Sequence, residues 1–360
     1  MRNLKWYLLF SFAGCWGISA WLYFSGAWLL STAQLGFSLC MLTPALAVVL
    51  TKCITHEGWS DIAFRPNLRG HLRFYLLAWF GPSLLILAGS AFYYLCRPAE
   101  YSSSLMIPAT AGALLFAMLI APLLNIIFCT GEELGWRGYL LPKLLQRHGM
   151  PKALLFSGLI WGLWHAPIIA MGHNYGLGYP GWPWLGIVAM ILFCIVTGCL
   201  FAYVTLRSGT FWPAALAHGA LNGMASSGLI FHSNPTTVNP FIGPLPVGIL
   251  GGLPLLLAGA LCLSLSAPAL AAGLDNFQKT STYTPGQFAD VPAGSWYAAG
   301  VQSAYELGLS ENTVEQIIRP TGLIDPLIVL RPATGQVDDL VGEIHRTTEK
   351  GGRVLVGFAL

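Results

Sequence analysis

The chain has 360 residues, 55% hydrophobic and only 9% charged. Soluble domains carry about 25% charged residues, so this composition excludes an ordinary soluble globular protein and points to a polytopic membrane protein. The net charge of +3 conceals a split: residues 1–273 hold 12 Lys/Arg and 5 Asp/Glu, whereas residues 274–360 hold 6 and 10.

In chain order, the first part offers eight apolar segments, at about 6–24, 33–51, 72–95, 106–131, 152–171, 184–206, 211–231 and 244–270. Each is roughly 18–25 residues, enough to cross a bilayer as a helix. The first segment is not a signal peptide, because its apolar run is long and no A-x-A site follows. The expected fold is all-α, with about eight transmembrane helices and a short, poorly specified α/β tail. Arg2, Lys5, Lys52, Arg65, Arg69, Arg73, Arg137, Lys143, Arg147, Lys152 and Arg207 fall at the N-terminus or in the even-numbered connections. Arg97 alone falls in an odd-numbered one. This asymmetry predicts a cytoplasmic N-terminus in an integral protein of a bacterial plasma membrane. It also sets the end of the fourth segment near the cytoplasmic boundary. The fifth connection, His173 to Trp184, is rich in aromatic residues and is expected at the outer interface. All eight cysteines lie at or before Cys262 without C-x-x-C spacing, and read as small buried hydrophobes.

The fourth segment is uncharged from Met106 to Cys129 and then reads GEELGWR. Glu133 and Arg137 are i, i+4 and can pair on one helix face, while Glu132 points away and is free to act. An interfacial ion pair beside a snorkelling acid accounts for this motif equally well. His165 follows Trp161 by four residues, and Asn222 follows His218 by four. Each pair shares a helix face, and each alone has a structural reading as a hydrogen bond between membrane helices. The three segments also carry close-packing signatures: Gly131 with Gly135, Gly158 with Gly162, and Gly219 with Gly223. Close packing would bring Glu132, His165 and His218 into one polar cavity. A carboxylate beside an imidazole can deprotonate water, and an imidazole and an amide can stabilise an oxyanion. The same Glu132, His165 and His218 could instead hold a divalent metal such as zinc. There is no G-x-S-x-G element, and no Gly-Lys-Ser/Thr loop for ATP. No internal repeat supports a transporter.

Residues 1 to about 230 resemble the CPBP family of CAAX-protease and bacteriocin-processing membrane proteins, whose motifs are EExxxR, FxxxH and HxxxN. Here they stand as Glu132-Glu133-x-x-x-Arg137, Trp161-x-x-x-His165 and His218-x-x-x-Asn222, with Trp161 in place of the usual Phe. The resemblance implies an intramembrane endopeptidase, glutamic or metallo in type, whose site faces the cytoplasm. Glu132 and His165 would activate water, His218 and Asn222 would form the oxyanion site, and Glu133 and Arg137 would orient Glu132 or the substrate backbone. The expected partners are a membrane-associated or CAAX-type peptide and the lipid bilayer, with no nucleic acid. A non-catalytic immunity or scaffolding protein is the alternative that the resemblance leaves open.

On this reading the membrane domain spans 1–272. Its last segment ends in LLLAGALCLSLSAPALAA, which also resembles a signal-peptide core with Ala269-Leu270-Ala271 as its cleavage motif. Residues 273–314 contain a partial copy resembling a surface-layer homology module. Residues 315–360 resemble an internal piece of the excinuclease helicase of nucleotide-excision repair, without a nucleotide-binding loop. One of these belongs outside a cell and the other inside, so the tail reads as a mosaic and function rests on residues 1–230.

Overall fold

The computed structural model describes residues 2–31, 33–102, 108–271, 282–284 and 302. The chain divides into two compact units, Met1–Leu270 and Ala271–Leu360. Apart from 282–284 and Gln302, the surface-layer-like and excinuclease-like segments lie outside the described residues.

The first unit is helical, with no strand among the described residues and one isolated bridge, Tyr101 to His232. Its helices are α1 (Arg2–Phe24), α2 (Ala33–Cys40), α3 (Thr43–Thr55), α4 (Leu72–Cys96), α5 (Pro108–Leu119), α6 (Ala121–Leu124) and α7 (Ile126–Glu133). A π-helical turn (Leu134–Leu140) leads into α8 (Leu141–Leu145). Then come α9 (Met150–Trp164), α10 (Ala166–Ala170), α11 (Trp184–Ser208), α12 (Trp212–Met224) and α13 (Ile249–Ala271). The signal-like stretch is thus, as far as Ala271, the last part of a helix.

Among the described residues, four stretches are long and apolar enough to cross a membrane: Asn3–Phe24, Ala33–Thr55, Leu72–Cys96 and Trp184–Ser208. Of the other four expected segments, three are shortened or interrupted, and the last is the 23-residue α13. Pro122 opens α6 and Pro167 opens α10, because proline lacks the N–H that would continue the preceding helix. These interrupted segments are the ones that carry the polar motifs. Broken backbone at membrane depth is tolerated where protein or a cavity surrounds it.

Large apolar side chains cover the exterior, among them Phe24 (86% exposed), Leu95 (80%) and Trp184 (72%). Water would penalise such a surface, whereas acyl chains solvate it. The long apolar helices mark an integral membrane protein.

Side-chain bonds tie the connections together at two ends. At one end Asn3 donates to Glu57 (2.5 Å), Lys143 contacts Glu57 (3.2 Å), Asn67 donates to the Ser208 carbonyl (2.7 Å) and Trp212 to that of Phe64 (2.7 Å). This is the basic end. At the opposite end Ser102 N–H donates to the Phe231 carbonyl (3.0 Å), His232 donates to Glu100 (3.0 Å) and Phe37 meets His173 edge-on (5.4 Å). Six cysteines are buried as expected, but Cys53 and Cys96 are exposed. Each lies near a helix end, Cys53 at the basic end and Cys96 at the opposite one, so neither reaches the core.

The glycine pairs permit close approach, and Gly219 and Gly223 do so between two of the motif-bearing segments, against Pro122 and Ala121 of the fourth. A Cβ on Gly131 would strike the Met41 carbonyl, and one on Gly135 would strike Pro44. Gly158 and Gly162 lie against the backbone of Ile195 and Ile191 on α11, and Gly219 against that of Pro122. The motif helices are therefore seated on α3, α11 and α6, and their polar faces meet as a consequence.

Candidate active site

The helical path does not stop at Glu132 and Glu133. Twelve residues of π-turn and α8 follow Glu133, from Leu134 to Leu145, adding roughly 18 Å of rise if helical. Glu132 is 1% exposed, Glu133 0% and Arg137 2%. This burial replaces the reading of an ion pair beside a snorkelling acid, because a charge withdrawn from solvent needs partners.

Glu133 receives two of them. Arg137 Nη1 donates to its Oε1 at 3.0 Å, and His218 Nδ1 lies 2.9 Å from the same oxygen. A carboxylate only accepts, so His218 Nδ1 carries the proton and Nε2 is its remaining nitrogen. Among the described residues, Glu133 Oε2 has no partner. The Arg137 guanidinium also stacks on Trp161 (4.3 Å) and Phe201 (5.1 Å). Neither Glu133 nor Arg137 lines the cavity described below. Arg137 is thus placed to hold Glu133 rather than a substrate backbone.

Glu132 is not the free acid expected from its helix position. Trp161 Nε1 donates to its Oε2 at 2.6 Å and Trp136 Nε1 to the same atom at 3.1 Å. Trp136 was legible as the i+4 neighbour of Glu132. Trp161 was visible only as an aromatic in a motif, and a Phe there would supply no donor. The Trp161 carbonyl accepts from His165 Nδ1 at 2.8 Å. That bond fixes the His165 tautomer and leaves Nε2 as the nitrogen able to accept a proton. Trp161 therefore bonds to both groups. Cys194 Sγ sits 4.0 Å from His165 Nδ1.

Glu132, His165, His218 and Asn222 line one cavity of about 440 Å³. It is also lined by Asn125, Phe128, Trp164 and His173. Asn222 is exposed, with Nδ2 3.8 Å from Cys129 Sγ. His173, in the fifth connection, is held below the ordinary histidine range by burial.

A zinc ion needs three or four protein ligands at about 2.0–2.3 Å from one point. Among the described residues no group of three His, Cys, Asp or Glu side chains could hold a metal ion. Glu132 Oε2, moreover, is engaged by two indoles and the Nδ1 atoms of both histidines by acceptors. Glu132, His165 and His218 as arranged do not fit a three-ligand metal site, and no step below runs through one.

Residues 108–224 match the family model described as Type II CAAX prenyl endopeptidase Rce1-like. The match contains all three motifs and bears out their resemblance over that part of the chain. It marks the motif-bearing part as protease-like. A separate 60-residue stretch is similar to UvrABC system protein B, at 55% identity to the Methanococcoides burtonii protein and 60% to that of Streptomyces coelicolor. It covers 17% of this chain but only 9% and 8% of those proteins, the proportions of a fragment.

Proposed function

We propose that the protein is an intramembrane endopeptidase that hydrolyses a peptide bond of a membrane-associated or CAAX-type peptide with a water held between Glu132 and His165. The observation that carries this reading is the convergence of Glu132, His165, His218 and Asn222 on one cavity, supported by the endopeptidase family match across them.

Each side chain then has a chemical task. Glu132 takes a proton from the water as its oxygen attacks the carbonyl carbon. His165, fixed by the Trp161 carbonyl, accepts a hydrogen bond from the same water through Nε2. The carbonyl oxygen becomes an oxyanion, which the Asn222 amide and His218 Nε2 stabilise. Donation from Nε2 requires His218 as imidazolium, because Nδ1–H already faces Glu133. Glu133 supplies the matching negative charge, and Arg137 holds Glu133 in place. Glu132 returns its proton to the departing amine as the tetrahedral intermediate collapses.

The test uses full-length protein in lipid nanodiscs, where both faces are open, with membrane-partitioning quenched-fluorescent peptides. Glu132→Ala and His165→Ala are each expected to lose cleavage by about 10²-fold or more, while cleavage by the unaltered protein survives chelation. Undiminished cleavage in both variants would sink the hydrolytic role. If Glu132→Ala instead retains a cellular protective effect, a binding or immunity role replaces it.

A further inference from the structure

We infer that His173, which lies outside the three motifs, is a substrate-binding residue whose ring takes up a main-chain peptide group in the cavity that holds Glu132 and His165. The inference deepens the proposed function and rests on it for the identity of the substrate as a peptide. Three histidines line the cavity: His165, His173 and His218. His165 and His218 each commit Nδ1 to a protein acceptor, the Trp161 carbonyl and Glu133. His173 commits neither nitrogen. Among the described residues its ring has no hydrogen-bond partner, and it meets Phe37 edge-on at 5.4 Å. A partly buried imidazole without a protein partner is costly as a purely structural group. A bound peptide supplies that partner.

The local chain holds this ring in place without using its nitrogens. The His173 N–H donates to the Ile168 carbonyl (3.1 Å), and the His173 carbonyl accepts from the Tyr175 N–H (2.8 Å). On either side, Gly172 (φ 92°) and Asn174 (φ 65°) take a left-handed backbone conformation, which glycine and asparagine adopt most readily. The Asn174 amide reaches Met190 Sδ at 3.6 Å and fastens the connection to α11, while Tyr175 stacks on Phe241 at 5.2 Å. Packing against Phe37 would need only an apolar ring at position 173. Burial holds His173 below the ordinary histidine range, so at neutral pH the ring is uncharged, with one N–H donor and one acceptor nitrogen. Those two groups match the C=O and N–H of a peptide link rather than a charged side chain. Phe37 and Met190 also line the cavity and offer apolar surface to the side chain next to that link.

The test separates binding from chemistry. Full-length protein in lipid nanodiscs is assayed with the quenched-fluorescent peptides, and a fluorescently labelled peptide of the same sequence is titrated into Glu132→Gln protein. His173→Phe keeps a ring against Phe37 and removes both nitrogens, whereas His173→Gln restores a donor and an acceptor. The expected result is a KM raised about 3- to 10-fold in His173→Phe, the range of one neutral hydrogen bond. The loss should fall on KM rather than kcat, and His173→Gln should recover most of it. Adding His173→Phe to Glu132→Gln should weaken peptide binding by the same factor. His173→Leu repeats the comparison if the phenylalanine variant does not fold. Equal KM and equal binding in these variants would overturn the inference and leave the endopeptidase reading standing, and so would a loss confined to kcat. Weaker binding in a protein that cleaves nothing would uphold the peptide contact and remove the hydrolytic reading instead. Peptide binding too weak to measure in Glu132→Gln would overturn the inference.

Discussion

Two charge clusters in this molecule pair acids with bases, and their acids lie at different depths. In the first, Glu133 is shared by Arg137 and His218, with side-chain exposures of 0%, 1% and 5%. In the second, at the basic end, Lys52 contacts Asp61 at 2.5 Å and Lys143 contacts Glu57 at 3.2 Å and Asp61 at 3.7 Å. Glu57 also accepts from Tyr139 at 2.8 Å. Here Lys52 is buried, but Asp61 is half exposed, and water shares the solvation of its carboxylate. The contrast shows that depth, not pairing, distinguishes a cluster that shapes a site from one that fastens a surface. An ion at the surface is solvated whether or not its partner is present. An ion at the depth of Glu133 depends wholly on its neighbours.

The largest difference between the clusters should appear on removing a cation. Arg137→Met leaves Glu133 with His218 alone, and breaking a buried pair costs about 3–5 kcal/mol. A marked fall in thermal midpoint in nanodiscs is expected, with partial recovery in Glu133→Gln/Arg137→Met. An unchanged midpoint would place the two clusters on the same footing. The next effect sharpens the inner cluster. Trp161→Phe removes the indole donor to Glu132, a hydrogen bond to a charged group that contributes about 1.5–3 kcal/mol. Expressed in the transition state, that loss lowers kcat roughly 10- to 100-fold, with a midpoint close to that of the unaltered protein. Equal kcat would mean that Phe serves as well as Trp here.

The smallest effect belongs to the surface cluster. Burial alone would raise the Glu57 carboxyl, but hydrogen bonds from Asn3, Tyr139 and Lys143 outweigh it and hold the carboxyl below its ordinary value. Its contribution to stability is present above the unfolded carboxylate range, near pH 4.3, and is lost as pH falls through the lowered folded value. Glu57→Gln should therefore lower stability by about 1 kcal/mol or less at pH 7, with the deficit vanishing in acid. A deficit that persists in acid would assign Glu57 a packing role.

Much of this was legible in the sequence, for identifiable reasons. The i, i+4 spacing of Glu133 and Arg137 predicted their contact directly, because helix geometry alone sets it. The apolar segments were legible from their length, but their interruptions were not, since Pro122 and Pro167 break a helix only as their neighbours allow. The burial of Glu132 was not legible, because the π-turn and α8 continue beyond it under a sequence that contains Arg137, Lys143 and Arg147. The bond of Glu133 to His218 joins positions 85 apart, and no periodicity within one helix could reveal it.

The most direct test of the account compares the two adjacent glutamates in one experiment. Glu132→Gln and Glu133→Gln are measured side by side in nanodiscs for peptide cleavage and thermal midpoint. The account predicts that Glu132→Gln keeps its midpoint and loses cleavage, because an amide cannot take a proton from water. Glu133→Gln should lose midpoint, because Arg137 is left buried without its counter-charge. Cleavage retained in Glu132→Gln, at a rate near that of the unaltered protein, would contradict it.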